Sequence, residues 1–427
     1  MARVVVVGAG VMGLAAAWAA ARSGHAVTLV EAAPEAGGMA AHSNLGDLSI
    51  ERFYHFICRS DQPTFDLLSE LGLEDRLRWR GTSMGYFTDG KLHPWGDPVS
   101  LLRFPGLGLL GKLRYGLLAF VSVRRNSWPS LEHQSAHNWI VRWVGQATYA
   151  KLWEPLLRLK FFEYSDNVSA AWIWTRVRRT GRSRRSLFQE ELGYLEGGSE
   201  TLVHALCDAI TAMGGQIRLA EPLQEVLAED GRVTGARTAA GIIPADAVIL
   251  TIPTPLVSAA VPALPADWKA RYDAIPNIAV ACLVFRLRRS VSRHFWVNIS
   301  DPDIEIPGII EFSNLRPVDD SVVFVPYYMP VTHPKWGWDD AALLEEAFGY
   351  LRRLNPVLSE DDILTARVAR LRHAQPVCAP GFAATLPPVE TPIAGLQIAD
   401  TAFYYPEDRG ISESVRLGRE MAERIPA

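Results

Sequence analysis

Residues Arg3 to Glu31 read RVVVVGAGVMGLAAAWAAARSGHAVTLVE, and this stretch decides the fold. The run Val4–Val7 suits a strand buried on both faces. Gly8, Gly10 and Gly13 follow as GxGxxG. Gly8 permits a tight turn, Gly10 lets a pyrophosphate approach the backbone, and Gly13 lets helix and strand pack closely. The alanine-rich segment Leu14–Arg22 favours a helix, whose N-terminus would offer free N–H groups and a positive dipole end to phosphate. Gly24 closes that helix, His25–Val30 forms a second strand, and Glu31 ends it where a carboxylate accepts ribose hydroxyls. A lone GxGxxG says little, but here the strand, the helix and the acid all stand in place. NAD and FAD both satisfy this unit.

The next residues, Pro34–Ala40, read PEAGGMA and put a second glycine pair, Gly37 and Gly38, shortly after the acid. With this pair the chain resembles the two-dinucleotide-binding-domain flavoproteins of the FAD-dependent amine oxidase superfamily. That group includes protoporphyrinogen oxidases, phytoene desaturases and, more distantly, UDP-galactopyranose mutases. Met39 stands where arginine is common in the pattern. Three further segments fit the resemblance. GYLEGGSETLVHAL (193–206) leads through a helix and a short strand to Leu223, whose backbone the resemblance places at adenine. ADAVILTIP (245–253) matches a strand returning to the FAD domain. GLQIAD (395–400) matches the last strand, with Asp400 at the ribityl–phosphate region and Ala399 in place of the usual glycine. The resemblance then implies that Tyr404–Gly410 crosses the flavin ring, with Tyr404, Tyr405 and Arg409 near it. Gly410, Ile411 and Ser412 would open a helix aimed at its pyrimidine edge, with helical spacing at Val415, Leu417 and Met421. A surface turn with an internal ion pair is the other reading of this stretch.

The implied fold class is α/β: a Rossmann-like FAD-binding domain with an inserted α+β substrate domain. Residues 1–80, 190–255 and 390–427 would form the first, and 81–189 with 256–389 the second.

For chemistry, GDLSIERFYHF (46–56) places Glu51, Arg52 and His55 where the resemblance implies an acid, a glycine and a histidine beside the flavin. His55 is the acid–base candidate, because imidazole titrates near neutrality; packing among Phe53, Tyr54 and Phe56 is its structural alternative. The strand IAVACLVFRL (278–287) holds no lysine near its start, which lowers amine oxidation. Oxidation at carbon asks the protein mainly to position a C–H bond and exclude water. Leu101–Arg125 mixes leucines with Arg103, Lys112, Arg114, Arg124 and Arg125, as a bilayer-surface segment or an active-site cap would. RVRRTGRSRR (176–185) has six arginines, either a grip for phosphate or a solvated loop. Trp172, Trp174, Trp296, Trp336 and Trp338 divide between core and apolar pocket.

A net charge of -4 argues against nucleic acid as a partner. Arginine far outnumbers the six lysines, as in GC-rich bacterial genomes. Cys58, Cys207, Cys282 and Cys378 are too dispersed for a metal site and read as reduced core thiols. No signal sequence and no 18-residue apolar run is evident, so the expectation is a cytoplasmic protein able to sit peripherally on the inner membrane face. The leading expectation is an FAD-dependent oxidoreductase that dehydrogenates a lipophilic or amphiphilic small molecule, phosphorylated substrates included, by hydride transfer to flavin N5. The rivals are a non-redox sugar-nucleotide mutase using reduced FAD, an amine or amino-acid oxidase, and a flavin-binding assembly partner without turnover.

Overall fold

The computed structural model describes residues 1–426. Two sheets organise it. The first has five parallel strands in the order Gln216–Arg218, Ala26–Val30, Arg3–Val7, Ala247–Leu250, Leu396–Ile398. Its central valines are buried on both faces, as an unbroken Val run requires. The first helix, Val11–Arg22, lies almost wholly buried against this sheet. Alanine suits it because the last helix, Ile411–Glu423, packs directly on it. Glycine makes the approach possible: a Cβ at Gly418 would lie 2.3 Å from the Met12 carbonyl oxygen, and one at Gly13 only 1.9 Å from the Gly8 oxygen.

The second sheet has seven strands in the order Ile363–Pro376, Asn277–Leu287, Ser321–Met329, Gly308–Glu311, Trp296–Ile299, Met84–Thr88, Lys91–Trp95. Its pairs are antiparallel except Trp296–Ile299 with Met84–Thr88. Strand alternation divides its two faces. Ala281, Leu283, Phe285, Val323 and Val325 pack toward helix Asp340–Leu354. Val280, Cys282 and Tyr328 face the opposite way, into a large cavity.

Helices between residues 98 and 182 cover the far side of that cavity. Leu101–Arg125 is not one segment: Phe104, Pro105 and Gly106 break it into Pro98–Arg103 and Leu109–Arg124. Asp97 caps the first piece, accepting from the Val99 and Ser100 N–H groups. Glu154–Phe161 and Ala170–Arg182 follow, and Ser169 caps the latter. No helix among the described residues is long and apolar enough to cross a membrane.

Candidate active site

A cavity of about 980 Å³ runs between the two sheets. At one end stand Gly8, Gly10, Glu31, Gly37, Gly38 and Met39. Gly10 precedes the first helix without any side-chain cap, so the helix's leading N–H groups are free for an anion. A Cβ at Gly10 would meet nothing within 4 Å, so the space beside it is open. Gly37 and Gly38 take positive φ values of 114° and 57°, the left-handed region that glycine favours. The Glu31 carboxylate accepts from Ala9 N at 2.7 Å and Ala33 N at 2.8 Å, which fixes it at the cavity edge. Asp400 is held likewise by the N–H groups of Thr254 and Ala402. Burial pushes its carboxyl up.

A second uncapped helix end enters the same cavity. Gly410 precedes Ile411–Glu423, and Gly410, Ile411 and Ser414 all line the wall. Two helix N-termini from opposite ends of the chain therefore converge on one space. These features suit a dinucleotide cofactor: an open glycine cradle, a ribose-facing carboxylate and two positive dipole ends. Gly13 lies outside the wall and serves close packing.

Three of the six arginines of the cluster prove to be paired with carboxylates. Its first four arginines lie at the end of helix Ala170–Arg182, and two of its three acidic partners lie in the stretch that precedes the last helix. Arg176 bonds Asp408, Arg178 bonds Glu407 at 2.5 Å, and Arg179 bonds Asp61 at 2.7 Å. Thr175 Oγ1 also donates to the Pro406 carbonyl at 2.7 Å. Tyr404–Gly410 is thus riveted to this helix, and is no surface turn. Burial alone would raise the Asp408 carboxyl, but Arg176, Lys160 and Arg409 hold it below the ordinary carboxylate range.

The other expected residues divide. Arg409 lines the cavity, donating to the Ala374 carbonyl and, at 3.1 Å, to the Tyr328 hydroxyl. Tyr404 also reaches the wall, its hydroxyl 2.8 Å from Ser414 Oγ. Tyr405 does not. Its ring packs on Trp128 and Phe382, and its hydroxyl meets Ser169 and Glu132. Ser412 turns into a separate polar cavity of about 240 Å³ behind the loop. The Leu223 side chain packs against the core beside the parallel sheet, outside the cavity wall. His55 lines the cavity, but burial lowers its imidazole to about 4, with Glu51 opposing weakly. It is therefore neutral at physiological pH, able to accept a proton but not to donate one as an imidazolium. Of the tryptophans, Trp296 lines the cavity, whereas Trp172 and Trp174 are core.

The residue that sequence reasoning missed is Lys160. It comes from helix Glu154–Phe161, not from strand Asn277–Leu287, and reaches the cavity among Trp172, Tyr328 and Phe161. Burial drives its ammonium well below the ordinary lysine range, and Arg176 and Arg409 push the same way against Asp408. Its sequence signal was slight: one of only six lysines, set beside two phenylalanines. Among the described residues Lys160, Arg367 and Arg409 face the cavity with no carboxylate within 4.0 Å.

The fold and the cavity together define a dinucleotide-binding oxidoreductase. Comparison with known proteins narrows this: residues 12–425 match the flavin containing amine oxidoreductase family, and the chain belongs to it. The cofactor of that family is a flavin. The chain is 36% identical over 122 residues to a D-amino acid dehydrogenase from Dechloromonas aromatica, covering 28% of this chain and 26% of that protein. It is 25% identical over 336 residues to a 15-cis-phytoene desaturase from Synechococcus elongatus, covering 71% of this chain and 67% of that one. The match thus spans only about a quarter of the first relative's length. Among solved structures, a protoporphyrinogen oxidase-like protein from Exiguobacterium superposes with a TM-score of 0.74 at 22% identity, covering 99% of this chain and 98% of that one. A cyclohexylamine oxidase from Brevibacterium oxydans gives 0.72 at 16%, with 99% and 98% covered. At these identities the structural likeness speaks to fold alone.

Proposed function

We propose that this enzyme dehydrogenates a lipophilic substrate carrying an anionic group, at carbon. The observation that carries this reading is the composition of the cavity beyond the glycine cradle. Tyr54, Phe56, Val280, Phe295, Trp296 and Leu371 make it apolar, while Arg367 and Arg409 supply guanidinium groups without carboxylate partners. A cationic amine would meet like charge there; a carboxylate or phosphate would meet a fork of donors.

FAD, when bound, supplies the acceptor for a hydride. The residues of Gly8–Met12, Gly37–Met39 and Gly410–Ile411 would hold it. When a saturated carbon pair becomes a double bond, one hydrogen leaves as hydride and the other as a proton, whose former C–H electron pair forms the new bond. Lys160 is placed to take that proton, since it reaches the cavity beside Tyr328 and burial shifts it toward the neutral amine that can act as a base. The aromatic wall excludes water and holds the carbon skeleton.

The test is anaerobic mixing of the FAD-loaded enzyme with three substrate sets: lipids with a saturated CH–CH pair and a carboxylate or phosphate, the corresponding neutral lipids, and alkyl amines. Bleaching of the flavin by the first set alone is expected. Bleaching only by amines would overturn the reading in favour of an amine oxidase. Turnover of a sugar nucleotide that requires prior dithionite reduction would overturn it in favour of a mutase.

A further inference from the structure

Helix Leu109–Arg124 is built inside out. Its inner side holds Leu118 and Ser122, both buried, and Arg114, whose guanidinium donates to the Trp143 and Arg142 carbonyls at 2.6 and 2.7 Å. Its outer side carries Leu109, Leu110, Leu113, Leu117 and Phe120, each 52–69% exposed. Water-facing helix surfaces do not normally group large apolar side chains in this way. Two neighbours extend the surface. Helix Pro98–Arg103 adds Leu102 at 54%, and Lys112 Nζ ties the two helices by donating to the Leu102 carbonyl at 2.6 Å. The hairpin after Ala170–Arg182 adds Leu187 at 72% and Phe188 at 65%.

Apart from Asp97, the cap of helix Pro98–Arg103, the charge around these side chains is basic. Residues 98–131 contain five basic and no acidic residues, and residues 167–189 contain six arginines and no acid, in a chain of net charge -4. Arg103, Arg124 and Arg185 are exposed at the margins. The Arg124 guanidinium lies 3.5 Å over the Phe120 ring, where it extends the apolar side with a charged rim.

From this apolar ridge with a basic rim we infer that the surface made by residues 98–125 and hairpin 184–190 docks on an anionic lipid bilayer. Leucines and a phenylalanine enter the acyl boundary while arginines and lysine meet phosphate headgroups. A second copy of the chain is a poorer occupant, because a two-fold contact would set these basic rims against each other. The docked surface shares a wall with the cavity. The hairpin strand continues from Phe188 to Glu190 and Leu192, both in the cavity lining. A Cβ at Gly96, beside the cap of helix Pro98–Arg103, would lie 3.5 Å from Met84, another lining residue. A lipophilic substrate therefore has a short path from bilayer to cavity; that route, unlike the docking, rests on the proposed function.

The experiment is vesicle flotation of the FAD-loaded protein with phosphatidylcholine alone or with 30% phosphatidylglycerol. Co-flotation with the anionic vesicles is expected, at least tenfold stronger than with the neutral ones and reduced by high salt. The double variant Leu113→Glu, Leu117→Glu should lose at least tenfold in binding while its flavin spectrum and melting temperature match the parent, because both side chains are exposed. Protein that stays at the bottom of the low-salt gradient overturns the inference, as does a variant that floats like the parent. Equally, a parental dimer that the double variant abolishes, with no flotation, assigns the surface to a second copy. Because flotation reads binding and not turnover, failure here leaves the redox reading standing, and the reverse also holds.

Discussion

Gly10 and Gly13 sit three residues apart in the same motif, yet their substitution should fail in opposite ways. A Cβ at Gly10 meets nothing within 4 Å, so Gly10→Ala leaves the apoprotein's packing intact. Its backbone, at φ -67° and ψ 170°, is open to any residue. The new methyl instead occupies space a pyrophosphate needs. At Gly13 a Cβ would stand 1.9 Å from the Gly8 carbonyl oxygen, so Gly13→Ala must move the first helix off the sheet. Overpacking of this kind costs about 1–3 kcal/mol. Ligand linkage sets the other scale: FAD at a hundred times its Kd raises stability by ~2.7 kcal/mol. A hundredfold weaker Kd in Gly10→Ala would cut that gain to ~0.4 kcal/mol. Thermal melts with and without FAD read both numbers. Gly10→Ala should melt like the parent without FAD and gain little with it; Gly13→Ala should melt early in both conditions. If Gly10→Ala keeps the full FAD-induced rise, the cradle is not where the pyrophosphate lies.

Lys160→Met should lower the rate of flavin reduction by about 10²-fold, with the FAD spectrum unchanged and the ascending limb of the pH–rate profile lost; an unchanged profile would remove Lys160 from proton transfer. His55 makes stability depend on pH. Its imidazole titrates at about 4 in the folded protein against an ordinary 6.5, so between those values the unfolded chain binds the extra proton. Apoprotein stability should therefore fall as pH drops from about 6.5 to about 4, by at most about 3 kcal/mol. His55→Gln should flatten that slope in urea titrations across the window. Asp408→Asn strips Arg176 of its partner and should cost about 1–3 kcal/mol, read by urea unfolding. Arg409→Ala, which empties one guanidinium from the cavity wall, should move the flavin's reduction potential, measured by dye-coupled titration.

What the chain reveals before folding is what its short-range chemistry determines. The strand, GxGxxG turn, helix and Glu31 lie within 29 residues, and each follows from local sterics and hydrogen bonding. The last helix was legible for the same reason, from the spacing of Val415, Leu417 and Met421. The arginine cluster was not. Its acids lie 118 residues upstream, at Asp61, and 232 residues downstream, at Asp408, and no local pattern announces such partners. Lys160 was hidden in the same way, because only the packing of Glu154–Phe161 against strand Ser321–Met329 brings it beside Tyr328. Tyr404 and Tyr405 show the limit at single-residue scale. A turn at the end of strand Leu396–Ile398 sends one toward the cavity and its neighbour into the helical layer.

The meeting of the first and last helices over one cavity has a consequence for biosynthesis. A ribosome delivers the glycine cradle by Gly38, but the second helix end at the cavity begins only at Ile411, more than 370 residues later. The fifth strand of the parallel sheet, Leu396–Ile398, also arrives late, and its edge position beside Ala247–Leu250 stays vacant until then. Between those two points of synthesis the nascent chain carries a half-made cleft and an open strand edge, the kind of surface that invites mispairing. Stable FAD uptake is therefore expected only once Ile411 has left the ribosome. A ribosome-stalled chain ending before Leu396 should not retain the dinucleotide, however much of it is already in place.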